Sequence, residues 1–110
     1  MKINPTKLSW VAPVTNEDGT PIDYALEYEA GLESDTGSLV PLMVIPAQLQ
    51  TGNEYEAPIA DLGLGSGATY RIALRTFAKD DPNRKSVWSN KVEFAISDRI
   101  PNPPLELRVA

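Results

Sequence analysis

The segment from Tyr70 to Ala78 alternates regularly between two kinds of residue. Tyr70, Ile72 and Leu74 fall on one side of an extended chain, and two arginines separated by an alanine fall on the other. This two-residue period is typical of a strand with one buried face and one solvated face. Turn signals rich in glycine or aspartate flank the segment on both sides. The segment therefore predicts the central strand of a small β-sandwich.

Three other segments, 7–11, 24–29 and 86–96, predict further core strands. Residues 39–45 are apolar, but Pro41 cannot donate to a ladder, so they predict an edge strand. We expect an all-β, antiparallel sandwich of about seven strands whose core contains Trp10, Tyr24, Leu26, Tyr28, Tyr70, Ile72, Leu74, Val92 and Phe94. Cross-strand ion pairs are expected on the outer face among Glu27, Glu29, Arg71, Arg75, Lys91 and Glu93.

Length and charge exclude several classes of protein. The chain has 110 residues, which suits one domain, and it has no cysteine for a disulfide or a thiolate metal site. A net charge of −5 disfavours nucleic-acid binding, because phosphates require a basic surface. No apolar run approaches the roughly 20 residues of a membrane helix, and residues 1–5 do not resemble a signal peptide. We therefore expect neither nucleic-acid binding nor membrane insertion.

Groups suited to catalysis are scarce. The chain has no histidine and no cysteine, and these residues are the commonest bases and nucleophiles of enzymes. Residues 63–67 are rich in glycine, but no Gly-Lys-Ser/Thr sequence follows them, so they do not form a phosphate-binding loop. We expect no enzymatic activity, no catalytic residue and no cofactor.

Several motifs stand in the order found in fibronectin type III domains. They are Leu8-Ser9-Trp10 with Pro13, Gly19-Thr20-Pro21-Ile22 before Tyr24-Ala25-Leu26-Glu27-Tyr28, Ile59–Leu62, Tyr70 after a glycine-containing turn, and Ser86-Val87-Trp88-Ser89-Asn90. In that order they resemble strands B, C and E, the tyrosine corner, and the start of strand G. The resemblance covers about residues 7–96. It implies an immunoglobulin-like sandwich with Trp10 in its core and the Tyr70 hydroxyl bonded to the turn backbone.

The resemblance places residues 1–98 in one domain but leaves the position of its first strand, strand A, vacant. Only six residues precede the predicted strand B, whereas the Pro-rich tail, residues 99–110, looks like a strand A at the opposite end of the chain. Leu105, Leu107 and Val109 would form its inward side. Three placements are open: the tail docks on its own domain, is exchanged into a neighbouring copy, or begins a following domain. Self-association through the tail is therefore a candidate interaction.

Two polar loops would share one pole of a fibronectin type III sandwich. One carries Asn16, Glu17 and Asp18, and the other carries Asp80, Asp81, Asn83 and Arg84. Because sandwich loops often bind ligands, these residues are candidates for contact with a protein or glycan partner. Their oxygen atoms would also suit calcium, but neither loop has the spacing of a calcium-binding loop. We therefore expect no metal site.

The leading functional hypothesis is a non-catalytic binding or spacer module of a bacterial surface, secreted or phage virion protein. It rests on the family resemblance, the acidic composition and the missing catalytic groups. It implies an extracellular, cell-surface or virion location. One alternative is a self-assembling structural subunit that uses its C-terminal tail as an exchanged strand. The other is an accessory domain of a larger enzyme.

Overall fold

The computed structural model describes residues 1–109, which form strands, turns and one short 3₁₀ helix but no α-helix. The 3₁₀ helix, Ile59–Leu62, directly follows β6. The prediction of an all-β fold is confirmed. The strands are β1 (Lys2–Ile3), β2 (Lys7–Val11), β3 (Leu26–Glu33), β4 (Leu39–Val44), β5 (Gln48–Leu49), β6 (Glu54–Pro58), β7 (Ala68–Ala78), β8 (Asp81–Lys85) and β9 (Val92–Ile96).

The strands form two sheets. The larger sheet has the order β1-β9-β7-β3-β4, with β8 as a further partner of β7, and the smaller sheet has the order β2-β6-β5. Neighbouring strands are antiparallel, except that β1 runs parallel to β9. The alternating segment that contains Tyr70 lies in β7, which pairs with three strands and is central. Strand β4, which contains Pro41, lies at a sheet edge as predicted.

The core takes side chains from both sheets. Tyr28, Ile72 and Phe94 belong to the larger sheet, and Ala57 belongs to β6 of the smaller one. Because one buried cluster joins the two sheets, they pack face to face in a sandwich-like arrangement. The cluster consists of Tyr28, Ala30, Ile45, Ala57, Ile59, Leu62, Ile72 and Phe94.

Seven of the nine predicted core residues belong to this cluster or pack against it. The prediction is wrong for Tyr24, which precedes the start of β3 and lines a cleft among the loops. It is also wrong for Val92, whose side chain is 43% exposed although it has the parity of the buried Phe94. Strand β1 pairs with β9 only at Phe94 and Ala95, so at Val92 no described strand lies on the side of β9 that faces away from β7. The sandwich is therefore uncovered along this edge.

Several predicted boundaries are also wrong, and the core strand predicted over 24–29 runs from Leu26 to Glu33. Residues 59–62, expected to match strand E, form the 3₁₀ helix, and the last ladder bond toward β2 runs from the N–H of Ile59 to the carbonyl of Thr6. The strand in this part of the chain is β6, which ends at Pro58, directly before these residues. Residues 81–85, where turn signals were read, form β8, and β1 lies at the N-terminus, where no strand was predicted.

Two serines explain why residues 86–91 do not form the start of the last strand. The Ser86 hydroxyl accepts the N–H of Thr76 at 2.9 Å, and the Ser89 hydroxyl accepts the N–H of Leu74 at 3.0 Å. The N–H groups of both serines donate to the carbonyls of the same β7 residues. Side-chain oxygens thus take the place of ladder partners, and the chain between them leaves the regular strand.

Trp88 lies between these serines and covers the outer face of the larger sheet. The Arg75 guanidinium carbon is 4.2 Å from the centre of the Trp88 ring. The ring also rests on the backbone of Gly31, where an added Cβ would lie 2.6 Å from it. Ala73, which pairs with Gly31 across the two strands, is buried although the sequence pattern assigned it to the solvated side.

Ion pairs cross the strands over the rest of the outer face, as the sequence predicts. Glu33, which the sequence pattern did not single out, accepts a hydrogen bond from the ammonium group of Lys91 at 2.5 Å. This hydrogen bond is the main reason why the pKa of the Glu33 carboxyl is lowered. The pairs on this face are Arg75–Glu29, Lys85–Glu29, Arg71–Glu93, Arg71–Glu33 and Lys91–Glu33.

We expect the stabilising effect of Glu33 to depend on pH. A carboxyl whose pKa is lowered by folding stabilises the folded state above its unfolded pKa, here about 4.5, and loses that effect as the pH falls through the folded value. Wild type should therefore melt higher than Glu33→Gln at pH 7, and the difference should disappear in acid. Thermal unfolding of wild type and Glu33→Gln at pH 7 and at a pH well below the unfolded pKa tests this, with Glu27→Gln on the same strand as control. An equal difference at both pH values would contradict it.

Candidate functional site

A cleft of about 580 Å³ opens where the connection between β2 and β3 approaches β8. Its walls include Asn16, Glu17 and Asp18 from the connection and Arg84 and Lys85 from β8. Residues from both of the polar loops singled out in the sequence therefore border one cleft. We refer to it as the loop cleft.

Asp18 holds one wall of the loop cleft in a tight turn. Its Oδ1 accepts hydrogen bonds from the hydroxyl of Thr20 at 2.6 Å and from the N–H of Thr20 at 3.0 Å. These bonds, the hydroxyl bond first, lower the pKa of the Asp18 carboxyl. Gly19 between them has a φ of 85°, a conformation that glycine adopts without strain. Asp18 therefore shapes the cleft wall by fixing the turn.

Tyr24 and Arg84 join the two walls of the loop cleft. The Tyr24 hydroxyl donates a hydrogen bond to Oδ1 of Asn16, on the opposite side of the same connection. The Arg84 guanidinium carbon lies 4.9 Å from the centre of the Tyr24 ring, within the range of a cation–π contact. The β2–β3 connection and β8 are therefore held together by one aromatic ring.

The other candidate residues of the second loop act through Arg84 or lie away from the cleft. Arg84 Nη2 is 2.9 Å from Asp80 Oδ1, and its Nε is 3.4 Å from Asp81 Oδ2. Asp81 also accepts the N–H of Asn83 at 3.2 Å. None of these three residues lines the cleft. The carboxylates of Asp80 and Asp81 orient Arg84, and the N–H of Asn83 helps to hold Asp81 in place.

The loop cleft combines charged groups with apolar walls, the latter from residues such as Ile22 and Phe77. Within residues 1–109, no three His, Cys, Asp or Glu side chains come together in a way that could hold a metal ion. Glu17 provides a carboxylate on one wall, and Arg84 and Lys85 provide cations on the other. Sequence reasoning missed Tyr24, because its parity with Leu26 assigned it to the core. Pro21 and Asp23 just before it are the signals that the strand starts later.

A second feature is the free edge of β2. This strand is the terminal strand of the smaller sheet, with β6 as its single neighbour among the described residues. Ala12 donates its N–H to Asn53, and Ile59 donates to Thr6, so the even-numbered residues hydrogen-bond toward β6. The odd-numbered residues of β2 therefore direct their N–H and C=O groups to the open side. They are Lys7, Ser9 and Val11.

A groove of about 320 Å³ lies beside this free edge. Leu8 and Trp10 of β2 form one wall, and Ile72 and Val92 of the larger sheet form the other. The groove therefore lies open between the edge of the smaller sheet and the larger sheet. We refer to it as the edge groove.

The tail does not occupy the edge groove of its own domain in this structure. Leu105, Leu107 and Val109 are almost fully exposed, and residues 97–109 form no strand. Two hydrogen bonds link Arg108 to Glu106 within the tail, and the N–H of Arg99 donates to the hydroxyl of Ser97 just before the tail. Ala110, the last residue of the predicted tail, lies outside the described residues.

Comparisons with known proteins give no relative: no family model, no curated protein and no solved structure matches the chain. A search of the described residues for helices that could cross a bilayer finds none of sufficient length and hydropathy.

Proposed function

We propose that the chain is a fibronectin type III-like domain that acts as a non-catalytic binding module. The strand order supports this assignment, since β2, β3, β6, β7 and β9 follow one another as strands B, C, E, F and G do in that family. The Tyr70 hydroxyl donates to the carbonyl of Gly65 at 2.7 Å, five residues upstream, in the manner of a tyrosine corner. Both features support the resemblance read from the sequence.

The observation that carries the binding role is the loop cleft. Two chain segments from different parts of the fold converge there on the Tyr24 ring, and Glu17, Arg84 and Lys85 supply charges of both signs. The β7 and β3 strands beneath them form a rigid support. Loops on a rigid scaffold are a common location of binding residues.

The geometry favours a polypeptide segment of a protein partner over a glycan. Sugars are commonly held against an open aromatic face, but one face of Tyr24 is already occupied by the Arg84 guanidinium. A polypeptide offers charged side chains of both signs together with backbone hydrogen-bonding groups. These match Glu17 on one wall and Arg84 and Lys85 on the other.

Selection of peptides from a random displayed library on the immobilised protein tests this proposal. We expect the selected peptides to bind Arg84→Ala about tenfold more weakly than wild type, which corresponds to about 1.4 kcal/mol. Arg71→Ala is the matched control, because Arg71 is similarly exposed but lies on the outer face of the sheet. A glycan array is screened in parallel to measure whether the protein binds sugars instead of peptides. Peptides that bind both variants equally well would contradict a role for the loop cleft.

A further inference from the structure

We propose that the tail of one copy of this chain docks as an additional strand along β2 of a second copy and fills its edge groove. This association uses a surface different from the loop cleft, on another part of the sandwich. It goes beyond the proposed binding role and succeeds or fails independently of it.

The free edge of β2 supplies the first part of the argument. Lys7, Ser9 and Val11 present unpaired backbone groups in a row, and such a row is a template for pairing with another extended chain. Proteins commonly protect such edges with charged side chains, especially lysine, or with proline, a bulge or a covering loop. Strand β2 has a lysine only at its first residue, Lys7, contains no proline, and pairs with β6 without a register shift. The edge is therefore competent to accept a strand.

The edge groove supplies the second part. An added strand on β2 would direct alternate side chains between the two sheets, against Leu8, Trp10 and Val92. Val92 is 43% exposed at this place, although it lies on the inward side of β9. The edge groove therefore takes an occupant with apolar side chains at every second position.

The tail has this chemistry. Leu105, Leu107 and Val109 alternate with Glu106 and Arg108, so one side of an extended tail is apolar and the other is charged. The three apolar side chains are exposed, and such a row is normally covered by a partner. The prolines before them restrict the chain to extended conformations and lower the entropy that docking would cost.

The direction of the tail points to a second copy as the partner. Strand β9 ends at Ile96, which pairs with Ala68, the end of β7 farthest from the loop cleft. Just after it, Ser97 is fixed to Asn4 by two hydrogen bonds of 2.8 and 3.1 Å. From this point the tail extends away from its own domain. The radius of gyration is 18.3 Å, whereas a compact chain of this length has about 13 Å.

Such a contact joins two different surfaces, so each copy keeps one free tail and one free edge. A heterologous contact of this kind extends into chains or rings and does not stop at a two-fold dimer. The tail of one copy, leaving from the far pole, reaches the next copy without folding back. The association therefore builds a head-to-tail series of domains.

Sedimentation of the full chain over a wide concentration range is the first test. We expect the mass of wild type to rise from the 12.0 kDa monomer as the concentration increases. The double variant Leu105→Gln/Leu107→Gln should remain a monomer. The control, Glu106→Gln/Arg108→Gln, changes the other side of the tail without altering the net charge and should associate like wild type. Since residues 105–108 are exposed, neither variant should affect folding.

A mixing experiment then tests whether the contact is heterologous. Ser9→Pro removes an N–H that faces the open edge, so it should block docking while the bonds to β6 remain. The Ser9→Pro variant keeps a tail that can dock, and the Leu105→Gln/Leu107→Gln variant keeps a β2 edge that can accept a tail. We expect each variant to be monomeric alone and the mixture to form a species of twice the monomer mass and no larger one.

Three results would overturn the proposal. Wild type that stays monomeric at the highest concentration would assign the tail to a linker or to the start of a following domain. A monomer whose melting temperature falls in Leu105→Gln/Leu107→Gln would show that the tail docks on its own domain in solution. Association that persists in that variant would place the contact elsewhere. If Ser9→Pro does not fold, the tail variants still decide the outcome.

Discussion

Replacing Trp10 with alanine is expected to lower the free energy of unfolding by about 3–5 kcal/mol, the range measured for large aromatic side chains in cores. The Trp10 ring meets the ring of Tyr28 edge-on at 5.1 Å and stacks with the ring of Tyr55 at 6.3 Å. Tyr28 belongs to the larger sheet and Tyr55 to the smaller one. The substitution therefore removes an aromatic contact that ties the two sheets together. Small domains have a total stability of only about 5–15 kcal/mol.

Denaturant unfolding of wild type and Trp10→Ala measures this loss. Val11→Ala is the control, since Val11 is the next residue of the same strand and is 68% exposed. Its substitution should change stability by less than about 0.5 kcal/mol. Similar losses in the two variants would contradict the assignment of Trp10 to the inward side of β2.

Gly31→Ala is expected to destabilise the domain by about 1–3 kcal/mol, the usual cost of overpacking. An added Cβ would lie 2.6 Å from Cη2 and 2.7 Å from Cζ3 of Trp88, much closer than carbon atoms approach one another. The Trp88 ring would have to leave Gly31, and with it the guanidinium of Arg75. The substitution therefore also disturbs the packing that covers this outer face.

A double-variant cycle identifies the cause of that loss. If the clash with Trp88 is responsible, Gly31→Ala should cost little in a Trp88→Ala background. Gly65→Ala is a suitable control, because a Cβ there would meet only the Tyr70 hydroxyl, at an ordinary 3.8 Å. An unchanged cost of Gly31→Ala in the Trp88→Ala background would show that backbone conformation, and not the ring, is the reason.

The sequence predicts the centre of the fold better than its edges. The alternation around Tyr70 identifies β7, because a strand flanked on both sides has one consistent inward face. The departure of residues 86–91 from the ladder depends on hydroxyl groups of Ser86 and Ser89, which look like ordinary strand residues in a pattern of apolar and polar positions. Trp88 can cover Gly31 and Ala73 because residues 86–91 leave the ladder, and an alternation of apolar and polar residues does not predict this packing.

The candidate sites were predictable to different degrees. The resemblance placed Asn16 and Arg84 near one pole, and the structure brings both to the loop cleft. The role of Tyr24 could not be read from the sequence, because its contact with Arg84 depends on where β3 begins. The resemblance predicted an open position beside β2, and β2 has a free edge in the structure, but the exposure of Val92 was not predicted. Val92 is exposed because β1 pairs with β9 only at Phe94 and Ala95.

Amide hydrogen exchange along β2 in dilute protein tests the account most directly, because it reports both the pairing with β6 and the open edge. We expect an alternating pattern. Leu8, Trp10 and Ala12, which point their N–H groups to β6, should be protected, whereas Ser9 and Val11 should exchange at nearly the rate of an unstructured chain. Equal protection of Ser9 and Trp10 in the dilute monomer would contradict the account, because it would show that another strand already covers the edge.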